Sequence, residues 1–260
     1  MNAHSKKYFF FDIDGTLTDN ATGEIIPSAK KAIDLLLKRG HFVSLATGRA
    51  HYKARKFMNE IGLHNMVCGG GGSIVINDKL IYNIPLEFNK AQKIIDEAEK
   101  LGIGILLMLD DSTKLYSKND NFRIQVGNRK EPTEYIIDSN LDYKHLIEIF
   151  KIYLSISKED EHLLTTKTIL GNLRFVPEYL MFQYDEKDKG IKEMIKLING
   201  SLTDVVVFGD DYNDLVMFDS IWTNIAMGNA CKELKDKATF VTKSNIEDGI
   251  LYACEKMDWI

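Results

Sequence analysis

Residues Tyr8-Phe9-Phe10-Phe11 run without a polar break into Asp12-Ile13-Asp14-Gly15-Thr16. A continuous apolar run fits a strand covered on both faces, as in a parallel sheet, and open parallel sheets place their sites just beyond the carboxyl ends of their strands. Asp12 and Asp14 occupy that position. Two residues apart on extended chain, their side chains share a direction while Ile13 points back into the core. Gly15 then permits a sharp turn. An Asp-Gly turn that carries a strand out of the core is common in itself, so partners elsewhere in the chain decide whether this strand end does chemistry.

The same alternation continues. Pro27 to Arg39 carries Ala29, Ala32, Ile33, Leu36 and Leu37 at helical spacing, with Pro27 at its start and Gly40 just past its end. His41 to Ala46 reads as a second strand ending in Thr47-Gly48-Arg49, and Ala50 to Ile61 as a helix stopped by Gly62. Late in the chain, Gly190 to Ile198 reads as a helix and Asp204 to Phe208 as a Val-rich strand running into Gly209-Asp210-Asp211; Trp222 to Met227 reads as another strand. Strands alternating with helices predict an α/β fold with a doubly wound parallel sheet. Between roughly Asn83 and Asp185 the rhythm changes. A helix is predicted over Phe88 to Leu101, strands over Ile103 to Leu109 and Lys151 to Ile156, and a hairpin around Pro177-Glu178. This stretch reads as an inserted α+β domain, which divides the chain into a core of residues 1–82 and 186–260 and an insertion of residues 83–185.

Composition narrows the function. The chain has 260 residues, 45% of them hydrophobic and 27% charged, with a net charge of -5. Its lysines and arginines are scattered, which argues against nucleic acid as a partner. The apolar stretches are too short to span a bilayer. Cys68, Cys231 and Cys254 are odd in number and widely separated, so neither a disulfide framework nor a zinc site is indicated, and a reducing cytoplasm is the expected setting. The oligomeric state is not legible.

Four elements fall at predicted strand or helix ends. Asp12 is a candidate nucleophile, because a carboxylate attacking phosphorus splits one difficult transfer into two easier ones. Asp14 beside it is a candidate acid and base. An anionic nucleophile facing an anionic phosphate requires cations. Asp210 brings another carboxylate to the same sheet edge, and hard oxygen ligands of this kind suit magnesium. Lys189 offers positive charge, and Thr47 with Gly48 a hydroxyl and backbone amides for phosphoryl oxygens. Alone, Thr47-Gly48-Arg49 reads as an ordinary turn and Lys189 as a solvated lysine; the set in this order is what carries the argument.

These residues resemble the haloacid dehalogenase superfamily of phosphatases, in its Cof-like branch. Asp12-Ile13-Asp14-Gly15-Thr16-Leu17 is similar to its first motif, Thr47-Gly48-Arg49 to its second, Lys189-Gly190 to its third and Gly209-Asp210-Asp211-Tyr212-Asn213-Asp214 to its fourth. The resemblance covers essentially the whole chain. It implies a Rossmann-like core with an inserted α+β cap that chooses the substrate, and a magnesium-dependent phosphatase acting on small phosphate monoesters through an aspartyl phosphate. It further implies that Asp12 is nucleophile and metal ligand, that Asp14 is acid and base and binds the metal through its backbone carbonyl, and that Asp210 is the third protein ligand. Thr47, Gly48, Lys189, Asn213 and the Ile13 amide would bind phosphate, and Asp214 would support the metal and Lys189. In place of the family's usual Asn-Gly after the third core strand, Cys68 precedes Gly69-Gly70-Gly71-Gly72, a loop expected to be unusually free to move. A phosphomannomutase-like transfer between sugar positions and a non-catalytic regulatory module are the alternative functions. The polar residues of the insertion, such as Asp110, Asp111, Arg123, Asn128, Arg129 and Arg174, receive no role from the sequence.

Overall fold

A computed structural model describes residues 6–260; residues 1–5, counted with the core by sequence, lie outside the described residues. The chain divides into two compact units, one built from the segments up to Asn83 and from Glu186 onward, the other from Ile84–Asp185.

The first unit begins with β1 (Tyr8–Phe11), α1 (Pro27–Lys38), β2 (Phe42–Ala46), α2 (His51–Glu60), β3 (Met66–Cys68), β4 (Ser73–Ile76) and β5 (Lys79–Asn83). The inserted unit contributes α3 (Phe88–Lys100), β6 (Ile105–Met108), β7 (Lys114–Ser117), α4 (Asn121–Val126), β8 (Glu134–Ile137), β9 (Lys151–Leu154), β10 (Asn172–Val176) and β11 (Tyr179–Phe182). The chain then completes the first unit with α5 (Lys187–Leu197), β12 (Val205–Gly209), β13 (Thr223–Ala226), α6 (Lys232–Lys237), β14 (Phe240–Val241) and α7 (Gly249–Lys256).

The core sheet runs β14-β13-β12-β1-β2-β3-β4-β5. It is parallel from β14 to β3, and an antiparallel β4-β5 hairpin extends the edge. The apolar run of β1 is explained by its two faces. Phe9 and Phe11 join α1, α2 and α7 in one buried cluster, while Phe10 joins Ile191, Met194 and Ile195 of α5 and Leu234 of α6 in the other. Strand order reverses at β1, because the chain grows outward through β2 and β3 and later through β12 to β14. That reversal opens a crevice at the carboxyl end of β1, where Asp12 follows.

The inserted unit is a six-stranded sheet, ordered β10-β11-β9-β6-β7-β8, with α3 packed on one face. Its mixed pairing gives it the α+β character: β10, β11, β9, β6 and β7 pair antiparallel in turn, and β7 with β8 is parallel. The expected hairpin is present, with Val176 opposite Tyr179. No helix among the described residues is long and apolar enough to cross a membrane.

The glycine loop departs from expectation, since backbone contacts hold it. Gly69 N donates to Arg49 O at 2.7 Å, Gly70 N to Thr47 O at 3.1 Å and Glu186 N to Gly70 O at 2.8 Å. At Gly71, with φ of 107°, a Cβ would run into the Glu186 carbonyl. The glycines therefore serve close approach, bringing the start of α5 against β3, rather than mobility.

Candidate active site

Asp12 is fixed by the sheet it leaves. Its amide donates to Phe208 O at 3.0 Å, prolonging the β1-β12 ladder by one residue, and its side chain is buried. Asp210, one residue past β12, and Asp214, in the turn after it, join Asp12 in a buried cluster whose carboxylate oxygens lie within 4.8 Å of one another. Asp214 is locked there: one oxygen accepts from the amides of Asp210 at 2.9 Å and Asp211 at 3.2 Å. Asp210 accepts from Thr16 Oγ1 at 2.9 Å. Gly15 has no room for a side chain, because a Cβ would collide with the Asp210 carboxylate.

The lysine that meets the acidic cluster is Lys187, and Lys189 lies apart from it. Lys187 Nζ lies 2.7 Å from Asp12 Oδ1 and 2.6 Å from Asp214 Oδ1, with its side chain 2% exposed. Lys189, expected to bind phosphate and act in catalysis, is 67% exposed and pairs with Glu186 at 2.8 Å. The reason is helical phase. Gly190, Ile191, Met194 and Ile195 form the buried stripe of α5, and Lys187 lies three and four residues before its first two members, on the same face. Lys189 faces outward.

The remaining expected residues lie around this cluster. Ile13 packs its side chain in the core, and its carbonyl accepts Leu17 N at 2.9 Å, closing the turn after β1. Thr47 directly follows the neighbouring strand β2, buried, with its amide donating to Val67 O at 2.9 Å. Gly48 follows, half-buried, and Asn213 stands half-buried in the turn between Asp210 and Asp214. The Asp14 side chain, 64% exposed, lies outside the acidic cluster and meets the Arg49 guanidinium.

Charge is crowded here. Burial first and then Asp214 push the Asp12 carboxyl well above its ordinary value, against the opposing pull of Lys187. Asp210 is pushed up to about 7 by burial and by Asp214, with the Thr16 hydroxyl working the other way. Burial would lower the Lys187 ammonium, but Asp12 and Asp214 outweigh it and hold the group more firmly protonated. Asp14 behaves oppositely. Burial would raise it, yet the hydrogen bonds and charge of Arg49, aided by Lys53, bring it below the usual carboxylate range. Once ionised, three buried carboxylates against one ammonium leave an excess of negative charge that a divalent cation would neutralise. The donors are hard oxygens, and the cluster contains no nitrogen or sulfur ligand, which matches magnesium in kind.

A family model described as haloacid dehalogenase-like hydrolase matches residues 9–254. The chain belongs to that family. Among relatives of this hydrolase, a protein of Bacillus subtilis (strain 168) named "Putative phosphatase YkrA" is 31% identical over 262 residues, covering 96% of this chain and 97% of its own. The same organism's 5-amino-6-(5-phospho-D-ribitylamino)uracil phosphatase YwtE is 26% identical, covering 96% and 98%. A crystal structure of a hypothetical protein from Geobacillus kaustophilus HTA426 superimposes with a TM-score of 0.83 at 27% identity, covering 98% of this chain and all of that one. Family and relatives together make the hydrolase a phosphoric monoester hydrolase.

Beyond Lys187, sequence reading of the hydrolase missed two asparagines that brace the loop after β1. Asn229 Nδ2 donates to Gly15 O at 2.9 Å, and its Oδ1 accepts Asn245 N at 3.0 Å. Asn245 Nδ2 donates to Thr18 O at 2.9 Å. Only the fold brings these residues, more than 200 positions away in sequence, to that loop.

Proposed function

We propose that the hydrolase releases phosphate from small phosphate monoesters in a magnesium-dependent reaction that passes through an aspartyl phosphate on Asp12. The observation that carries this reading is the buried Asp12–Lys187–Asp214 arrangement at the sheet's switch point. A carboxylate there is aimed by its ammonium partner and shielded from water, as a nucleophile must be. Asp12 and Asp210 would hold magnesium with Asp214 bracing them, Asp14 joining through its backbone carbonyl; the ion would offset the repulsion between carboxylate and phosphate. An Asp12 oxygen bonds to phosphorus as the ester oxygen leaves with a proton from Asp14. Water then attacks the aspartyl phosphate, gives its proton to Asp14 and frees Asp12. Thr47, Gly48, Asn213 and the Ile13 amide are assigned to the phosphoryl oxygens, with Lys187 taking the part expected of Lys189. The inserted unit is assigned the choice of leaving group.

The test is phosphate release from a panel of monoesters, sugar phosphates first, with nucleotides and pyridoxal phosphate alongside. Release from at least one ester is expected with magnesium, lost on chelation and restored by added magnesium. No release from any ester sinks the reading.

Magnesium binding should also depend on pH. Asp210 and Asp12 keep a proton to higher pH when folded than when unfolded, so in chelator the contribution of Asp210 to stability falls as pH rises from the unfolded carboxylate value through about 7, with Asp12 acting in the same direction. A cation at the cluster must displace that proton. Apparent magnesium affinity, measured by calorimetry, is therefore expected to climb about tenfold per pH unit below neutrality for each proton displaced and to level off above it. A flat profile from pH 5 to 8 would contradict the cluster as the binding site.

A further inference from the structure

The Asp14 carboxylate is gripped by a fork. Arg49 Nε donates to its Oδ2 at 3.0 Å and Nη2 to its Oδ1 at 2.6 Å. The two partners are unequal: the Asp14 side chain is 64% exposed, whereas that of Arg49 is 18% exposed. Arg49 is itself fixed from three sides. Its guanidinium lies 5.2 Å from the Phe57 ring centroid on α2, its amide donates to Thr47 Oγ1 at 3.1 Å, and its carbonyl accepts Gly69 N at 2.7 Å. An exposed carboxylate on its own would sample several rotamers. Here the fork restricts it to one, and the direction comes from the β2-α2 turn and the glycine loop.

We propose that Arg49 is the positioning residue of Asp14, setting the carboxyl group where it can hand a proton to the leaving oxygen and take one from the attacking water; this rests on the reading of Asp14 as acid and base. Each carboxyl oxygen spends one lone pair on the fork and keeps another for the shuttled proton. In the first step, entered once Asp14 has taken up a proton from solvent, the Asp12 oxygen to phosphorus bond forms, the phosphorus to ester oxygen bond breaks with its electron pair going to the leaving oxygen, and that oxygen takes the Asp14 proton. In the second the water oxygen bonds to phosphorus, the Asp12 bond breaks, and the water proton returns to Asp14. Lysine, a single point charge, cannot reproduce a bidentate grip.

The decisive contrast is between leaving groups. An alkoxide needs a proton as it departs and p-nitrophenolate does not. For Arg49→Gln, the rate of phosphoenzyme formation from an alkyl phosphate that the wild type hydrolyses is expected to fall about 10- to 100-fold, with KM within about threefold. The same step with p-nitrophenyl phosphate should lose far less, and Arg49→Lys should recover part of the loss. Asp14→Asn should show the same selectivity more strongly, and the double variant should be no worse than Asp14→Asn alone, because Arg49 then has nothing left to aim. Thermal midpoints close to wild type show that the variants fold. A raised KM with unchanged rate, equal losses with both esters, or additive losses in the double variant overturns the proposal. If Asp14→Asn itself shows no selectivity, the reading of Asp14 has failed and the proposal falls with it. A selective Asp14→Asn beside a non-selective Arg49→Gln overturns the proposal alone.

Discussion

Asp12→Asn is expected to abolish phosphate release, by about 10⁴-fold or more, while leaving the metal-free protein at least as stable as the wild type. The two halves of this expectation have one cause. Asp12 sits in a buried cluster with Asp210 and Asp214, where its ionised form is disfavoured by burial and by a like-charged neighbour. An amide of the same shape removes that charge, and Lys187 keeps its 2.6 Å partner in Asp214. The fold therefore loses a source of repulsion. Chemistry loses its nucleophile, since an amide oxygen does not form a stable ester with phosphorus. Initial rates of phosphate release and the chelated thermal midpoint measure the two halves separately. Activity within tenfold of wild type would show that phosphorus is attacked by another group. Lost activity in a protein whose thermal midpoint had collapsed would show instead that Asp12 is held for stability.

What the sequence disclosed divides along physical lines. Strand ends were legible, because a buried parallel strand leaves a run such as Phe9 to Phe11 that stops where the chain meets solvent. Asp12, Thr47 and Asp210 could be placed at sheet ends from that signal. Helix boundaries were read within a few residues, from Pro27 and Gly40 in α1 and, for α3, as Phe88 to Leu101 against the observed Phe88–Lys100. Asn229 and Asn245 were not legible, because their roles depend on a contact across the whole chain with the turn around Gly15 and Thr18. The glycine loop misled for another reason. Glycine permits both freedom and close approach, and only the Glu186 carbonyl against Gly71 decides between them. The position of Lys189 away from the cluster was legible as well. The spacing of Gly190, Ile191, Met194 and Ile195 already defines the inward face of α5, and projecting it back one turn selects Lys187.

Lys187→Ala and Lys189→Ala should accordingly part company. Removing Lys187 leaves Asp12 and Asp214 facing each other without a cation, and the carboxyl groups respond by holding protons, which blunts Asp12 as a nucleophile. It also removes a buried positive charge from the place where the phosphoryl group is to lie, and losing one preorganised electrostatic contact of this kind costs about 10²- to 10³-fold in kcat. Phosphate release by Lys187→Ala is expected to fall by at least that much. Raising magnesium should restore some stability without restoring the rate, because a cation bound by the carboxylates would not replace the ammonium that bridges Asp12 and Asp214. Lys187→Arg should not rescue: one compact ammonium meets two carboxylates at 2.7 and 2.6 Å, and a longer, planar guanidinium cannot take the same point between them without displacing them. Lys189→Ala removes only an exposed pair with Glu186, of the kind that contributes little, and its rate should stay within about twofold of wild type. The ratio of the two variants' rates, taken under the same magnesium concentration, is the measurement. A ratio near one would remove Lys187 as the working lysine, and a larger loss at Lys189 would mean that the working lysine is the one turned toward solvent.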